Sequence, residues 1–204
     1  DSDGDFGPDN TVRSVGRDSL RTMTIETRLD SEWSDQFSTL VGLFTSNEQT
    51  RANSMDTIAL VHPILGPVSI VRNTVAKNVA DTYAAFGTLF WKPNSGWEVA
   101  LGLRYDRENR VSQGAVDSVT TTVLGAVPSG GVVPTAKLKS SEWQPKLTVT
   151  RKWTPDLMTY VSVARGYRGG GFNAPTAPTR TYNGDSAWTY EAGAKYTAPG
   201  VMLS

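Results

Sequence analysis

Polar and apolar residues alternate along several stretches of the chain, and this pattern predicts β-strands rather than helices. In residues 97–106 every odd position is apolar and every even position is polar or small. Because successive side chains of a strand point to opposite faces, such a segment would have one apolar and one polar face. The same alternation occurs in residues 22–30, 146–150 and 190–196.

Three less regular segments, residues 36–46, 75–91 and 158–167, also predict strands, and an eighth strand would begin at Val201. Short connections rich in Pro, Asn, Asp and Gly, as tight turns require, alternate with long ones. The short connections are 31–35, 92–96, 154–157 and 198–200, and the long ones are 47–74, 109–138 and 168–185. This alternation predicts an up-and-down antiparallel sheet with tight turns on one rim and long loops on the other.

Strand length and aromatic placement separate a membrane sheet from a soluble one. The predicted strands run about 10 to 15 residues, whereas globular strands typically have ~5–6 and membrane strands ~9–11. Aromatic residues gather beside the short connections: Trp33, Phe37, Trp91, Trp97 and Trp153. Such a girdle is expected at a membrane interface, although the same aromatics could close the core of a soluble sandwich. The combined pattern favours a transmembrane β-barrel wall.

Composition removes several classes of chemistry. The chain has 204 residues, and its 20 Lys+Arg balance its 20 Asp+Glu, so it lacks the basic excess of a nucleic-acid binder. It contains no cysteine and one histidine, His62, which excludes a disulfide scaffold, a thiolate zinc site and a multi-histidine metal site. We therefore expect no metal, no cofactor and no nucleic-acid partner. The longest apolar run, residues 57–71, is interrupted by His62, Pro63 and Pro67 and falls short of the ~20 residues of a membrane helix.

Four blocks of sequence resemble, in order, strands of TonB-dependent outer-membrane receptors. Each block is short, but together they span nearly the whole chain, and the third is the strongest match. The blocks are Met23-Thr-Ile-Glu26-Thr-Arg28-Leu29 with Leu40-Val-Gly42-Leu-Phe44, Tyr83-Ala-Ala-Phe86-Gly87 with Gly102-Leu-Arg104-Tyr105-Asp106, Tyr160-Val-Ser162-Val-Ala-Arg165-Gly166-Tyr167-Arg-Gly-Gly170-Gly171-Phe172-Asn173, and Trp188-Thr-Tyr190-Glu191-Ala-Gly193-Ala-Lys195.

The resemblance implies an all-β fold, an antiparallel up-and-down transmembrane β-barrel. Barrels of outer-membrane transporters of this kind have 22 strands and a plugged lumen, so seven or eight strands would form only part of one. We therefore expect residues 1–204 to be a middle segment of the barrel domain, without the plug domain and without the C-terminal strands. Such a segment alone would have two open edges.

The resemblance also implies a function that involves no catalysis. A receptor of this family binds a scarce solute at the surface of a Gram-negative cell, commonly a ferric siderophore, haem, cobalamin or a glycan. Energy delivered through TonB then admits the solute to the periplasm. The expected partners are outer-membrane lipid, the plug domain of the same chain, TonB and the solute, and the expected location is the outer membrane.

Two groups of residues are candidates for a functional site. The polar strand faces carry charged residues that would face the lumen and contact the plug or the solute, or would only form a ladder of charge pairs across neighbouring strands: Glu26, Arg28, Arg104, Asp106, Glu191 and Lys195. In the connection 168–185, Phe172, Asn173, Arg180 and Tyr182 would suit a sugar or a siderophore, or a loop folded over itself. The segment 111–136, with Asp117 as its one charge, would be a flexible loop or an extended hairpin.

Two rival functions remain open from the residues alone. A β-rich glycoside hydrolase needs two carboxylates within about 5–10 Å. Glu98 and Asp106 share a strand face, but their spacing of eight residues corresponds to roughly 26 Å. A soluble carbohydrate-binding β-sandwich could instead use exposed aromatics to stack on sugars.

Overall fold

The computed structural model describes residues 2–3, 11–174, 177–198 and 201–203, and these residues form antiparallel sheet. The predicted all-β, up-and-down architecture is confirmed. The strands are β1 (Ser2–Asp3), β2 (Val12–Glu32), β3 (Phe37–His62), β4 (Gly66–Asn94), β5 (Trp97–Thr122), β6 (Gly125–Lys152), β7 (Leu157–Arg168), β8 (Gly171–Phe172), β9 (Thr181–Tyr182), β10 (Asp185–Ala198) and β11 (Val201–Leu203). Among the described residues, no helix is long and apolar enough to cross a membrane.

The main sheet follows chain order, β1-β2-β3-β4-β5-β6-β7-β10-β11, whereas β8 and β9 pair only with each other. Seven long strands were predicted, and β2 to β7 with β10 correspond to them in order. The predicted eighth strand also begins at Val201, as β11. A second sheet large enough to make a sandwich is not found among the described residues.

Two of the three predicted long loops are instead paired strands. The register of β3 with β4 runs without interruption from Phe37↔Trp91 to His62↔Gly66, so the expected connection 47–74 is wrong. The connection 109–138 is likewise replaced by the ends of β5 and β6, which pair as far as Thr122↔Gly125. Of the two alternatives for residues 111–136, the structure therefore shows the extended hairpin.

The register assigns each side chain to one of two faces of the sheet. We call the apolar face the side that carries the odd-numbered residues of β2 to β7 and the even-numbered residues of β10, and the polar face the opposite side. The ladders from β2 to β5 keep one register throughout these pairings up to Trp91, and β5 with β6 keeps one from Trp97↔Arg151 to Ser112↔Ala136. The two faces therefore remain distinct across the sheet up to the register shift between Ser112 and Gly114.

Large apolar side chains on the apolar face are exposed. Leu101 is 56% exposed, Leu43 is 66% and Val161 is 54%. By contrast, the buried residues Ala84 and Ser112 both lie on the polar face. A water-soluble sheet would cover such a band of Leu and Val with a second layer, because burial of apolar area is the main favourable term in folding.

The aromatic girdle predicted beside the short turns lies on or next to the apolar face at the end of the sheet where those turns are. Phe37 and Trp91 are register partners whose rings stack with centroids 6.2 Å apart. The Arg151 guanidinium lies over the rings of Trp97, at 4.9 Å, and Trp153, at 5.2 Å. The girdle therefore contains one stacked aromatic pair and one cluster in which a cation lies over two tryptophans.

Two of the short turns are built in the same way. In each, a Trp amide bonds to a carbonyl four residues ahead (Trp33 N to Phe37 O, Trp153 N to Leu157 O, both 2.9 Å). The indole then donates to a threonine six residues ahead, Trp33 to Thr39 at 2.8 Å and Trp153 to Thr159 at 2.9 Å. Each turn thus orients a tryptophan whose polar N–H is satisfied while its ring stays exposed, which suits an interface between water and lipid.

A second aromatic group, which the sequence did not predict, lies eight residues further along the apolar face. Tyr83, Trp143 and Trp188 are each 53–55% exposed, and the rings of Tyr105 and Trp143 contact each other at 4.6 Å. From Trp97 to Tyr105 the distance along β5 is about 26 Å. The exposed Leu and Val residues lie between these two aromatic groups.

The strands β6 and β7, followed from their short turn, separate just before the second aromatic group. Their register ends at Lys146↔Ala164, although β7 continues to pair with β10 up to Arg168↔Asp185. Arg165 spans the opening: it donates to the Trp143 carbonyl oxygen at 2.9 Å and to Ser186 Oγ at 3.1 Å, and it pairs with Glu142. The guanidinium thus satisfies a backbone carbonyl close to where the strand ladder ends.

We predict that Gly130→Ala disrupts the pairing of residues 114–122 of β5 with residues 125–133 of β6, and leaves the rest of the sheet unaffected. Gly130 has a φ of 129°, and a Cβ there would lie 2.1 Å from Val116 O. A strained backbone costs about 1–3 kcal/mol, so amide exchange of residues 114–122 should accelerate by at least about tenfold. The matched control is Gly16→Ala in β2, where the nearest atom would be 3.8 Å away. Equal exchange in both variants would show that the extension is not held by this pairing.

Candidate functional site

The polar face carries a cluster of arginines, acids and phenylalanines at its centre. Arg104 donates from Nε and Nη2 to the two oxygens of Asp106, each at 2.7 Å, and Gln144 Nε2 reaches Asp106 Oδ2 from the neighbouring strand at 2.5 Å. The Arg104 guanidinium also lies over Phe44, at 5.1 Å, and over Phe86, at 5.7 Å. Two aromatic rings and one carboxylate therefore fix the position of this cation.

The next strand pair extends the same cluster. Arg28 pairs with Glu26 on β2, and its guanidinium lies 5.9 Å from the centre of the Phe86 ring. Phe86 therefore lies between Arg28 and Arg104. Its ring also occupies the space above Gly42, where a Cβ would lie 2.4 Å from Phe86 Cζ. A glycine at position 42 is what allows this close approach.

The six charged candidates of the polar strand faces share one face of the sheet. The registers place Glu26, Arg28, Arg104 and Asp106 there, and the pairs Glu191↔Ser162 and Lys195↔Met158 bring β10 into the same face. Three charge pairs run along a strand between residues two apart: Glu26 with Arg28, Arg104 with Asp106, and Glu108 with Arg110. Three others join neighbouring strands, Lys92 with Glu98, Glu142 with Arg165 and Arg168 with Asp185, so a ladder across strands is present only in part.

The connection 168–185, which was predicted to be a long loop, folds onto the polar face. At its base Arg168 and Asp185 form a two-pronged ion pair, with distances of 3.0 and 2.9 Å, and this hydrogen bond raises the pKa of Arg168 above its ordinary value. Gly169 lies against Glu108, and Gly170 lies against Leu138. The absence of side chains at these glycines lets the loop backbone approach the sheet closely.

The four candidate ligand contacts come together in this loop. Phe172 pairs with Thr181 in the β8–β9 ribbon, and the Tyr182 ring covers Gly171. The Asn173 amide donates to Arg180 O at 3.0 Å, Asn173 Nδ2 donates to Thr179 O at 2.8 Å, and Arg180 Nη1 donates to Asn173 O at 2.9 Å. The loop therefore folds over itself, which is one of the two alternatives that the sequence left open for these residues.

Part of Arg180 remains directed away from its own loop. Its Nη2 lies 3.4 Å from Ser112 Oγ, and Ser112 is 4% exposed on β5. Arg180 Nε is buried without a hydrogen-bond partner, and so is Oδ1 of Asn78, the residue opposite Ser112 in the register. A buried donor and a buried acceptor without partners cost free energy unless a bound molecule pairs with them.

A cleft of about 240 Å³ lies at this point between the loop and the sheet. Small and polar residues line it, and Phe172 closes one side: the lining is Ala52, Ser54, Thr74, Ala76, Asn78, Ser112, Phe172, Asn173 and Ala174. A cleft of this size and lining can hold a small polar group by hydrogen bonds. Among the described residues no group of three or more acidic or histidine side chains could hold a metal ion.

The sequence missed Phe44, Phe86, Gln144, Asn78 and Ser112. Phe44 and Phe86 lie at even positions, where the alternation of β3 and β4 predicts polar residues. An apolar residue out of step with the alternation, opposite a Gly in the next strand, is a signal that could have identified the pair Phe86 and Gly42. Asn78 and Ser112 lie in segments that were interpreted as loop or as an irregular strand.

Comparison with known proteins gives two findings. A family model described as the TonB dependent receptor-like beta-barrel matches residues 1–204. The fold is similar to the crystal structure of FyuA, the ferric yersiniabactin uptake receptor of Yersinia pestis, with a TM-score of 0.70 and 18% sequence identity. That match covers 94% of this chain and 28% of FyuA, so the chain spans little more than a quarter of the similar receptor.

We predict that Gly42→Ala destabilises the sheet because the new methyl group displaces Phe86 from its place between two arginines. Overpacking of this kind costs about 1–3 kcal/mol. The double variant G42A/F86A, compared with F86A, is the control: without the ring only the contact of the methyl group with Thr27 O, at 2.8 Å, remains, so G42A should cost less there. Urea unfolding of the purified protein in detergent would measure both substitutions. The explanation is wrong if G42A costs as much in the F86A background as alone.

Proposed function

The chain belongs to the TonB-dependent receptor-like β-barrel family, and from this membership we propose that it forms part of the barrel wall of an outer-membrane receptor that imports a scarce solute. The observation that carries the proposal is the two-faced sheet. One face exposes Leu and Val between two aromatic groups, and the other carries paired charges. Outer-membrane barrels have an outward apolar band of ~25 Å between aromatic girdles and a polar interior.

In the proposed receptor, the apolar face meets outer-membrane lipid and the polar face lines the lumen. Residues 1–204 are then part of a barrel domain whose plug domain and remaining strands lie outside this chain. TonB supplies the energy that moves the plug, and Glu26, Arg28, Arg104, Asp106, Glu191 and Lys195 face the plug or the solute path. The geometry of FyuA, of which this chain matches 28%, supports such a division.

In the proposed receptor, the solute binds at the loop between β7 and β10. Phe172 and Asn173 line the cleft, Arg180 and Tyr182 belong to the same loop, and Arg180 Nε and Asn78 Oδ1 are left to pair with a bound group. A ferric siderophore is the first solute to test, because the similar FyuA is a ferric yersiniabactin uptake receptor. Haem, cobalamin and a glycan are the other candidates.

The rival interpretation as a soluble β-sandwich module has no support in the packing. A sandwich would cover the Leu and Val side chains of the apolar face, yet Leu101 and Leu103 are 56% and 47% exposed. The proposed function involves no covalent chemistry, so binding affinity and transport are its measurable properties.

Charge on the two faces should have unequal effects on membrane assembly. We predict that Leu101→Arg lowers the stability of the full-length receptor in lipid vesicles by ~2–4 kcal/mol, the cost of a cation on the lipid face near the bilayer midplane. Gly102→Arg is the control, because its Cβ would find ordinary contact distances of 3.4 Å to Thr88 Oγ1 and 3.7 Å to Lys146 Cβ on the polar face. Equal losses in urea titrations of both variants would refute the assignment of the faces.

Solute binding should depend on the cleft rather than on the loop base. We predict that Arg180→Gln weakens binding of a ferric siderophore to the full-length receptor by about tenfold, the usual effect of losing a charged hydrogen bond. Arg168→Gln is the matched control, since it removes the same charge from the same loop but only breaks the exposed pair with Asp185. Fluorescence quenching titrations measure both. Equal weakening would show that the loop fold, and not the cleft, determines affinity.

A further inference from the structure

Strand β6 has an open edge where β7 turns away from it. The ladder between the two strands ends at Lys146↔Ala164, whereas β6 continues to pair with β5 from Lys146 to Ala136 and beyond. On the side of β6 that β7 leaves, residues 136–144 have no strand partner among the described residues. We call these residues the open edge. It lies between two consecutive long strands and not at an end of the sheet.

The backbone of three residues in the open edge is directed into the gap beside β6. The Trp143 carbonyl oxygen accepts a hydrogen bond from Arg165 of β7, so the backbone groups of Trp143 point to that side. Because alternate residues of an antiparallel strand direct their N–H and C=O to the same neighbour, those of Ser141, Lys139 and Lys137 point there as well. All three residues are exposed, and no backbone hydrogen bond from the described part of the chain reaches them on that side. Each therefore leaves one donor and one acceptor free.

A proline bounds the open edge at each end. Pro145 belongs to the same alternate set as Trp143 but has no N–H to donate, which explains why the ladder with β7 ends at Lys146. At the other end, Pro134 lies in the stretch of β6 where the register with β5 shifts, between Val133 and Ala136. The open edge between these prolines is about 30 Å long. That length is enough for one added strand of the usual ~5–6 residues.

The side chains on one face of the open edge are cationic. Lys137 and Lys139 lie on the apolar face, and beside them on β5 lies Arg107, the register partner of Ser141. None of these three cations forms an ion pair with an acidic side chain of the described residues. Lysines disfavour the pairing of an edge with a second copy of the same edge, because like charges then meet on one face. The same cations attract a strand that carries acids on that face.

We propose that the open edge binds an extended peptide segment of a partner protein as an added strand, and that this segment carries acidic side chains at every second position. Its main chain bonds to Ser141, Lys139 and Lys137, and its acids lie beside the two lysines and Arg107. On the opposite face, an apolar residue between two acids packs against Leu138. The inference goes beyond the proposed function, which supplies only the location, because the long hairpins of an outer-membrane barrel lie outside the cell.

The test measures binding of a labelled synthetic peptide to the full-length receptor in detergent by fluorescence anisotropy. The probe is about as long as the open edge, with Asp at every second position and Val or Thr between, and replacing each Asp by Asn should weaken binding about tenfold. In the added strand, the residues opposite Lys137 and Lys139 share their face and direct their N–H to β6. N-methylation of the Asp residues should therefore abolish binding, whereas N-methylation of the intervening residues should leave it unchanged.

Variants of the receptor test the same contacts from the other side. Ser141→Pro removes an N–H that points into the gap and leaves the bonds to β5 in place, so it should weaken binding about tenfold while amide exchange of residues 105–112 stays unchanged. The double variant Lys137→Gln, Lys139→Gln should weaken binding of the Asp peptide about fivefold and leave the Asn peptide unaffected. The matched control, Arg51→Gln with Lys77→Gln, removes two charges from the same face on β3 and β4 and should leave binding unchanged.

Each outcome decides between strand addition and its alternatives. Equal binding of the two N-methylated peptides, or unchanged binding in Ser141→Pro, overturns strand addition. Equal losses in the two double variants overturn the placement of the acids beside the open edge, since they indicate attraction by net charge alone. A receptor that reaches the outer membrane and transports its solute but binds no Asp peptide overturns the inference and leaves the proposed function intact.

Discussion

The uninterrupted antiparallel ladder is the constraint on which the rest of the structure depends. In a bilayer each backbone N–H and C=O must bond within the protein, and the strands β2 to β7 with β10 do this by pairing each with its neighbour in the chain. The same ladder fixes which face each side chain occupies, because a slip of one residue would exchange the two faces. The separation of apolar and polar surfaces thus follows from register.

How much of this could be read from the sequence depends on whether one face of a strand is apolar. Residues 97–106 alternate cleanly and were assigned correctly, because one face of this part of β5 is apolar throughout. Beyond the second aromatic group both faces carry polar residues, so β3 and β4 continue through Asn53, Ser54, Thr74 and Asn73 without alternation. A strand with two polar faces carries little register information, and for this reason the extended hairpins were predicted as loops.

The candidate site shows the same limit at the level of side chains. Sequence patterns placed Arg104 and Asp106 on one face, but their pairing along the strand rather than across it depends on side-chain length and on Phe44 and Phe86 beside them. Phe86 fills the space over Gly42. Its ring and that of Phe44 therefore lie beside the Arg104 guanidinium and hold it in place. The cleft beside Arg180 could not be predicted from the sequence for a different reason. It forms only when the connection 168–185 folds back onto β5, and this part of β5 had itself been predicted as loop.

The edges of the sheet determine what this segment can do alone. Beyond Ser14, strand β2 pairs on one side only among the described residues, and in an edge strand every second residue directs its N–H and C=O outward. For the 18 residues of β2 from 15 to 32, that leaves about nine residues with unpaired backbone groups. Each unsatisfied group costs several kcal/mol in hydrocarbon, far more than a domain's usual margin of 5–15 kcal/mol in total. Neighbouring strands are therefore a thermodynamic requirement for this sheet in a membrane.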